Sequence, residues 1–130
     1  MRCYLDSSAL AKLVIREPES HALRTFLKRS EMMLSSAIAE TELLRAARRI
    51  SEQTVNAAPR MLSVVALMEV SREILSSASL LEPASLRTLD SIHLATALEL
   101  ADELDSFVTY DFKLAEAARS AGLPVAQPGR

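Results

Sequence analysis

Four acidic residues occupy positions from which their side chains could reach a shared site. Asp6 and Asp111 each directly follow a short run of β-prone residues. Glu42 and Asp90 lie in segments with helical apolar spacing, where Glu42 borders the face to be buried and Asp90 lies inside it. A carboxylate that faces a core must be hydrogen-bonded, paired with a positive group or bound to a metal.

Convergence of these carboxylates would create a metal site. Two unit charges about 4 Å apart repel by roughly 4 kcal/mol at an effective dielectric constant near 20, so several ionised carboxylates in one pocket need a cation. Oxygen-only ligands suit Mg²⁺ or Mn²⁺ rather than Zn²⁺. Such a site positions a phosphate, activates water and neutralises the charge that develops on a phosphodiester during in-line attack. The chemistry indicated is therefore metal-assisted phosphodiester hydrolysis.

Each acid also has a purely structural explanation, and the residues alone leave these alternatives open. Asp6 and Asp111 are suited to cap the helices that follow them. Glu42 is three residues before Arg45 on the same helix and could form an ordinary ion pair with it. Asp90 could cap a helix that begins later than its apolar pattern suggests.

The elements that must position these acids alternate between strand and helix. We predict strands at residues 2–5, 32–35, 64–70, 106–110 and 123–126. We predict helices at residues 9–17, 20–29, 37–50, 71–80, 86–101 and 112–121. The alternation indicates an α/β fold, a three-layer α/β/α sandwich around a parallel sheet of four to five strands. In such folds ligands bind beyond the carboxyl ends of the strands, where Asp6 and Asp111 lie.

Two helices and the segment between them have further features. The segment 86–101 reads as an amphipathic helix whose buried face includes Leu86, Leu89, His93 and Ala101. Ser36 is predicted to cap the helix at 37–50. The pattern loosens at residues 53–59, where Pro59 should end or restart a helix, and residues 60–81 are ambiguous between helix and strand.

The composition describes an ordinary globular protein, with 49% hydrophobic and 25% charged residues. For 130 residues we expect a single domain, 1–130, with one core. The longest uncharged apolar stretch, 61–68, is too short to cross a bilayer, and Asp6 and Lys12 interrupt any signal-peptide pattern. We therefore expect a cytoplasmic protein without membrane association. The one cysteine, Cys3, is expected to be a buried strand residue.

Four blocks of the sequence, in this order, match a known family. They are YLDSSALAKL, SSAIAETELLRAARR, LRTLDSIHLATAL and FVTYDFKLAEAARSAGL, and they span nearly the whole chain. The chain resembles PIN-domain proteins, and specifically the ribonuclease toxins of VapBC-type toxin-antitoxin modules. The resemblance implies a PIN-like fold with strand order 3-2-1-4-5, which would place Asp6 and Asp111 on adjacent strands.

The resemblance also implies site residues. The family's catalytic, metal-binding acids fall on Asp6, Glu42, Asp90 and Asp111, which would hold one or two Mg²⁺ or Mn²⁺ ions. Glu40 competes with Glu42, but Glu42 directly precedes LLRA as in the family pattern.

Three other side chains receive roles or alternatives near this site. Thr109 matches a family hydroxyl position close to the metal, and Ser7 is expected to assist through hydroxyl or backbone contacts. His93 follows Asp90 by one helical turn, so it is either a hydrogen-bonded histidine beside the site or a further ligand. His21 has no such neighbours and is expected at the surface.

The activity implied is that of a metal-dependent endoribonuclease, in which water activated by the metal leaves 5'-phosphate and 3'-hydroxyl ends. Such a toxin cuts cellular RNA and is restrained by a cognate antitoxin. The resemblance also implies a homodimer, with the apolar region 61–81 as part of its surface. The net charge of −2 argues against a broadly basic nucleic-acid binder. Arg45, Arg48 and Arg49 either guide RNA phosphates, contact the antitoxin or form a solvated helix face.

Two other classes compete with this interpretation. In a non-catalytic module that binds protein or RNA, the acids would only cap helices. A phosphoryl-transfer domain is the third class. The first strand ends in Asp-Ser-Ser, without the paired aspartates of dehalogenase-type or receiver-type domains, and no lysine follows a late strand in the receiver setting.

Overall fold

The computed structural model describes residues 1–130 and contains five strands and seven α-helices. The strands are β1 (Arg2–Leu5), β2 (Met32–Ser36), β3 (Val65–Met68), β4 (Ser106–Val108) and β5 (Val125–Ala126). The helices are α1 (Ser7–Val14), α2 (Ser20–Leu27), α3 (Ile38–Arg48), α4 (Glu52–Leu62), α5 (Arg72–Ser79), α6 (Thr88–Glu99) and α7 (Phe112–Ser120), with a 3₁₀ turn at Ala101–Glu103. No helix is long and apolar enough to span a membrane.

All strands are parallel and lie in the order β3-β2-β1-β4-β5, which confirms the predicted topology. Alternate residues of β1 face opposite layers. Cys3 and Leu5 pack with apolar residues of α1, α2, α3 and α4, whereas Tyr4 packs with those of α6 and α7. The predicted three-layer sandwich is therefore correct, and Cys3 is fully buried as expected.

Helix α4 contradicts the prediction that Pro59 ends or restarts a helix. It continues through Pro59, and the Ser51 side chain caps it by accepting a hydrogen bond from Thr54 N–H. Proline removes one backbone donor from a helix interior. Burial of Ala58 and Leu62 on one face against the sheet offsets that loss, because packing supplies most helical stability in proteins.

Helix α6 differs from the predicted one-sided helix at 86–101. It is shorter at both ends, and Leu89, assigned to the buried face, is 46% exposed. Eight consecutive residues, Asp90–Ala97, are buried. The helix lies between the sheet and helices α5 and α7, so several of its sides are covered and a single apolar stripe does not describe it.

The remaining boundaries differ by a few residues, as helix and strand ends commonly do. Ser36 is the last residue of β2, and its Oγ still accepts a hydrogen bond from Ile38 N–H at 3.3 Å. Strand β4 ends at Val108, so Thr109 and Tyr110 lie beyond the paired strand. This places the Thr109 side chain in the loop at the carboxyl edge.

Candidate active site

Asp6 and Thr109 are hydrogen-bonded to each other just beyond the carboxyl ends of the adjacent strands β1 and β4. Asp6 N–H donates to the Val108 carbonyl at 3.1 Å, and Thr109 Oγ1 donates to Asp6 Oδ2 at 2.6 Å. The other carboxylate oxygen, Oδ1, accepts from Ser8 Oγ at 2.6 Å and from Ala9 N–H at 3.0 Å. Asp6 thus caps α1 and also lies at the point where strand order reverses, so its capping role does not exclude a role in a site there.

Asp111 has the same double position at the start of α7. Its Oδ1 caps the helix by accepting from Leu114 N–H at 2.8 Å, and its Oδ2 accepts from Arg87 Nη2 at 3.1 Å. Arg87 Nε donates to Asp90 Oδ2, also at 3.1 Å. Asp90 lies in the first turn of α6 and does not cap it. One guanidinium therefore bridges two of the predicted acids.

Glu42 reaches the same region from α3. Its Oε2 accepts from Ser7 Oγ at 3.1 Å, and its Oε1 is 2.8 Å from His93 Nε2. The alternative ion pair with Arg45 is not formed. Glu40, two residues earlier, is exposed and makes no side-chain hydrogen bond. The structure thus brings Glu42, and not Glu40, to the other acids.

The four acids line one cavity of about 520 Å³. Arg45, Arg49 and Arg87 line it as well, so positive charge adjoins the carboxylates. A larger cavity, about 640 Å³, lies near the amino ends of β2 and β3 and contains a single carboxylate, that of Glu31. The chemistry of the lining residues, and not cavity size, identifies the first as the candidate site.

The acids share a cavity without forming a finished metal centre. No three His, Cys, Asp or Glu side chains are arranged to hold one ion. Each carboxylate is instead satisfied by neighbouring hydroxyls, backbone amides, His93 or Arg87. The donor set nevertheless fits a hard divalent cation, because every candidate ligand offers carboxylate oxygen. Asp90 and Asp111 moreover already share a positive group, the Arg87 guanidinium.

Burial raises the pKa of two of these carboxyl groups, and so disfavours their ionised form. Desolvation raises the pKa of Asp6, which is 2% exposed, although the Ser8 and Thr109 hydroxyls oppose the shift. Desolvation also raises the pKa of Asp90, against the hydrogen bond and charge of Arg87, while the Asp111 charge adds to the rise. A nearby cation would favour the charged form of both groups.

Three contributors to this site were not among the sequence predictions. Arg87 precedes Asp90 by three residues, a spacing that is typical of helical ion pairs and could have indicated it. Ser8 follows Asp6 by two residues within the helix start, which is a common position for hydroxyl contacts. Tyr4 bonds to His93 across 89 residues, and no local pattern reveals that contact. His21 is exposed, as predicted.

Comparisons with known proteins agree with this fold. The PIN domain family matches residues 3–120. Ribonuclease VapC46 of Mycobacterium tuberculosis (strain ATCC 25618 / H37Rv) is 44% identical over 125 residues, covering 96% of each chain. Ribonuclease VapC47 of Mycobacterium tuberculosis (strain CDC 1551 / Oshkosh) is 37% identical over 131 residues, covering 97% of this chain and 96% of the relative.

Solved structures of low sequence identity share the fold. Mycobacterium tuberculosis VapC20, described as a sarcin-ricin loop cleaving toxin, superposes with a TM-score of 0.75 at 16% identity, covering 97% of this chain and 99% of that one. FitAcB from Neisseria gonorrhoeae gives 0.74 at 15% identity, covering 97% of both. The sequence match over most of the chain and the identity to the VapC proteins show that the chain belongs to the PIN-domain family, in its VapC branch.

Proposed function

We propose that the protein is a metal-dependent endoribonuclease that acts on RNA in the cytoplasm as the toxin of a toxin-antitoxin pair. One observation carries this proposal: four carboxylates from separate segments line a single cavity beside Arg45 of α3 and Arg49, the residue that follows this helix. The relatives that share most of the chain are named ribonucleases, which supports the same activity. Capping alone does not explain the set, because Glu42 and Asp90 cap no helix.

Asp6, Asp90, Asp111 and Glu42 would hold one or two Mg²⁺ or Mn²⁺ ions. When bound there, the metal would activate water and neutralise charge that develops on the phosphodiester. Thr109 and Ser7 donate hydrogen bonds to Asp6 and Glu42, and so fix the directions of two carboxylates. No side chain needs to act as a nucleophile.

The arginines at the carboxyl end of α3 would bind the substrate backbone. Arg45 and Arg49 line the carboxylate cavity, and together with Arg48 they line an adjoining one. One guanidinium group can donate two parallel hydrogen bonds to a phosphate group. Contacts to phosphates position a nucleic acid without selecting its sequence. The scissile phosphate would then lie between these arginines and the acids.

Cleavage of a mixed-sequence RNA pool tests the proposal. We expect cleavage with Mg²⁺ or Mn²⁺, none with a chelator, and products whose 5'-phosphate makes them substrates for ligation. The substitution Glu42→Gln should lower kcat/KM by about 10- to 100-fold, since it removes one charge from the site. Glu40→Gln is the matched control on the same helix and should cleave as the native protein does.

Two results would contradict this mechanism. Cleavage that persists in the chelator would exclude the metal, and equal loss in the two glutamine variants would show an effect of helix charge instead of site chemistry. Failure of the native protein to cut any RNA would favour the non-catalytic interaction module.

We further propose an antitoxin partner and a homodimer. Structures with the same fold include a VapBC2 assembly from Rickettsia felis and a toxin-antitoxin complex from Klebsiella pneumoniae, which supports the partner. The region 61–81 presents large apolar side chains to solvent: Val64, Leu75 and Leu80, the last 82% exposed. Apolar groups left exposed in this way favour association between protein surfaces.

The dimer proposal is tested by sedimentation of the purified protein. We expect a dimer mass for the native chain and a shift toward the monomer for Leu80→Glu, because a buried unpaired charge opposes association. Ile50→Glu replaces an exposed apolar residue outside this region and should leave the mass unchanged. A monomer at all concentrations for the native chain would overturn the proposal.

A further inference from the structure

A chain of hydrogen bonds runs from the core of the sheet to Glu42. Tyr4 Oη lies 2.8 Å from His93 Nδ1, and His93 Nε2 lies 2.8 Å from Glu42 Oε1. Ser7 Oγ occupies the second oxygen of Glu42. Tyr4 and His93 are both fully buried. The contact joins β1, α6 and α3, and so crosses from one helical layer to the other at the carboxyl edge.

The donors and acceptors of this chain have one consistent order. Glu42 sets this order, because an ionised carboxylate only accepts; Nε2 therefore carries a proton and donates it to Glu42. A neutral imidazole has one ring proton, so Nδ1 is then the acceptor and the Tyr4 hydroxyl donates to it.

This order leaves neither ring nitrogen free to bind a metal. The Nδ1 lone pair is used by Tyr4, and Nε2 holds its proton toward Glu42. The alternative role of His93 as a ligand beside Asp90 is therefore disfavoured by its own hydrogen bonds. The ring instead acts on the site through Glu42.

The core holds Tyr4 firmly enough to orient the histidine. The Tyr4 ring stacks on Phe107 with centroids 5.4 Å apart and an interplanar angle of 13°. It meets the His93 ring edge-on, at 5.8 Å and 80°. Both contacts are favoured aromatic geometries, and both rings come from the packed interior. Glu42 is thus hydrogen-bonded to side chains that are packed in the buried core.

We propose that His93, oriented by Tyr4, is a positioning residue that holds the Glu42 carboxylate at the candidate active site. Its effect on catalysis rests on the function proposed above, whereas the hydrogen-bond order does not. Glutamate has several rotatable bonds, and a displacement of about 1 Å at a reacting group can cost about 100-fold in rate. With both oxygens occupied, Glu42 is restricted to one orientation.

The first test is nitrogen NMR of the imidazole in the metal-free protein. We expect Nε2 to carry the proton and Nδ1 to be a hydrogen-bond acceptor. Tyr4→Phe should disturb the His93 signals because it removes only the hydroxyl, and Tyr110→Phe, at the other tyrosine of the chain, should not. Protonation at Nδ1 alone, with no proton on Nε2, would overturn the proposal. This test holds whether or not the protein cleaves RNA.

The second test separates positioning from support of the fold. We expect His93→Leu to reduce kcat by about 10- to 100-fold with little change in KM, since Glu42 then loses a donor. His93→Gln keeps a side-chain donor near the Nε2 position and should recover most of that loss. Equal losses in the two variants, or full activity in His93→Leu, would contradict positioning. If His93→Leu does not fold, Tyr4→Phe decides, with an expected decrease in kcat of about 3- to 10-fold.

Discussion

Replacement of Asp6 by asparagine is expected to lower kcat for RNA cleavage by about 1,000-fold, which corresponds to roughly 4 kcal/mol of transition-state stabilisation. Asp6 lies where the strand order reverses, and its carboxylate is the most buried of the four. Asparagine keeps an oxygen for the helix cap but removes the negative charge that a divalent cation needs. Single-turnover cleavage of a defined RNA with Mn²⁺ measures the effect.

The comparison variants make this result specific. Asp90→Asn should produce a loss of similar size, because it removes charge from the same cavity. Asp102→Asn changes an exposed aspartate that precedes β4, at the opposite edge of the sheet, and should retain native activity. Retention of more than a tenth of the native kcat by Asp6→Asn would show that this carboxylate does not serve the proposed metal.

Saturating Mn²⁺ is expected to stabilise the native protein strongly. A ligand at 100 times its Kd that binds only the folded state contributes about 2.7 kcal/mol. For a chain of this length that corresponds to a rise in Tm of roughly 10 °C. Thermal unfolding with Mn²⁺ and with chelator measures the difference. Asp6→Asn should show little rise, whereas Asp102→Asn should respond as the native protein does. An equal rise in all three proteins would indicate binding elsewhere.

The Asp6→Asn variant should be more stable than the native protein when no metal is present. Burial raises the pKa of Asp6, so the folded state binds its proton more tightly than the unfolded chain does. The contribution of Asp6 to the stability of the native protein then falls as the pH rises from the pKa of the unfolded chain, about 3.9, through the raised pKa of the folded state. Asparagine does not titrate. The advantage of Asp6→Asn in chelator should therefore be absent in acid and grow toward neutral pH, as urea unfolding at several pH values will show.

The sequence predicted most of the elements, their order and four candidate acids. Alternation of short apolar runs with helical spacing predicted the parallel sandwich, and the family blocks predicted its strand order, which the structure confirms. These features depend on local propensity and on burial, which a sequence pattern records directly. Helix α4 was an exception, because tertiary packing overrode the local effect of Pro59.

The tertiary structure decided how each acid is used. The sequence left capping and site chemistry as alternatives for Asp6 and Asp111, whereas in the fold one oxygen of each caps a helix and the other accepts from Thr109 or from Arg87. The bridge from Arg87 to Asp111 spans 24 residues, and the bond from Glu42 to His93 spans 51. Such partners are set by which helices cross the carboxyl edge of the sheet.

The physical reason lies in the range of the interactions. Hydrophobic spacing and helix capping act within one or two turns, so the amino-acid order predicts them. The directions of buried polar groups depend on which donors and acceptors the folded chain brings within about 3 Å, and that depends on packing between layers. The sequence alone thus identified four carboxylates that line one cavity, and only the fold showed that Arg87 bridges two of them while His93, bonded to Tyr4, contacts a third.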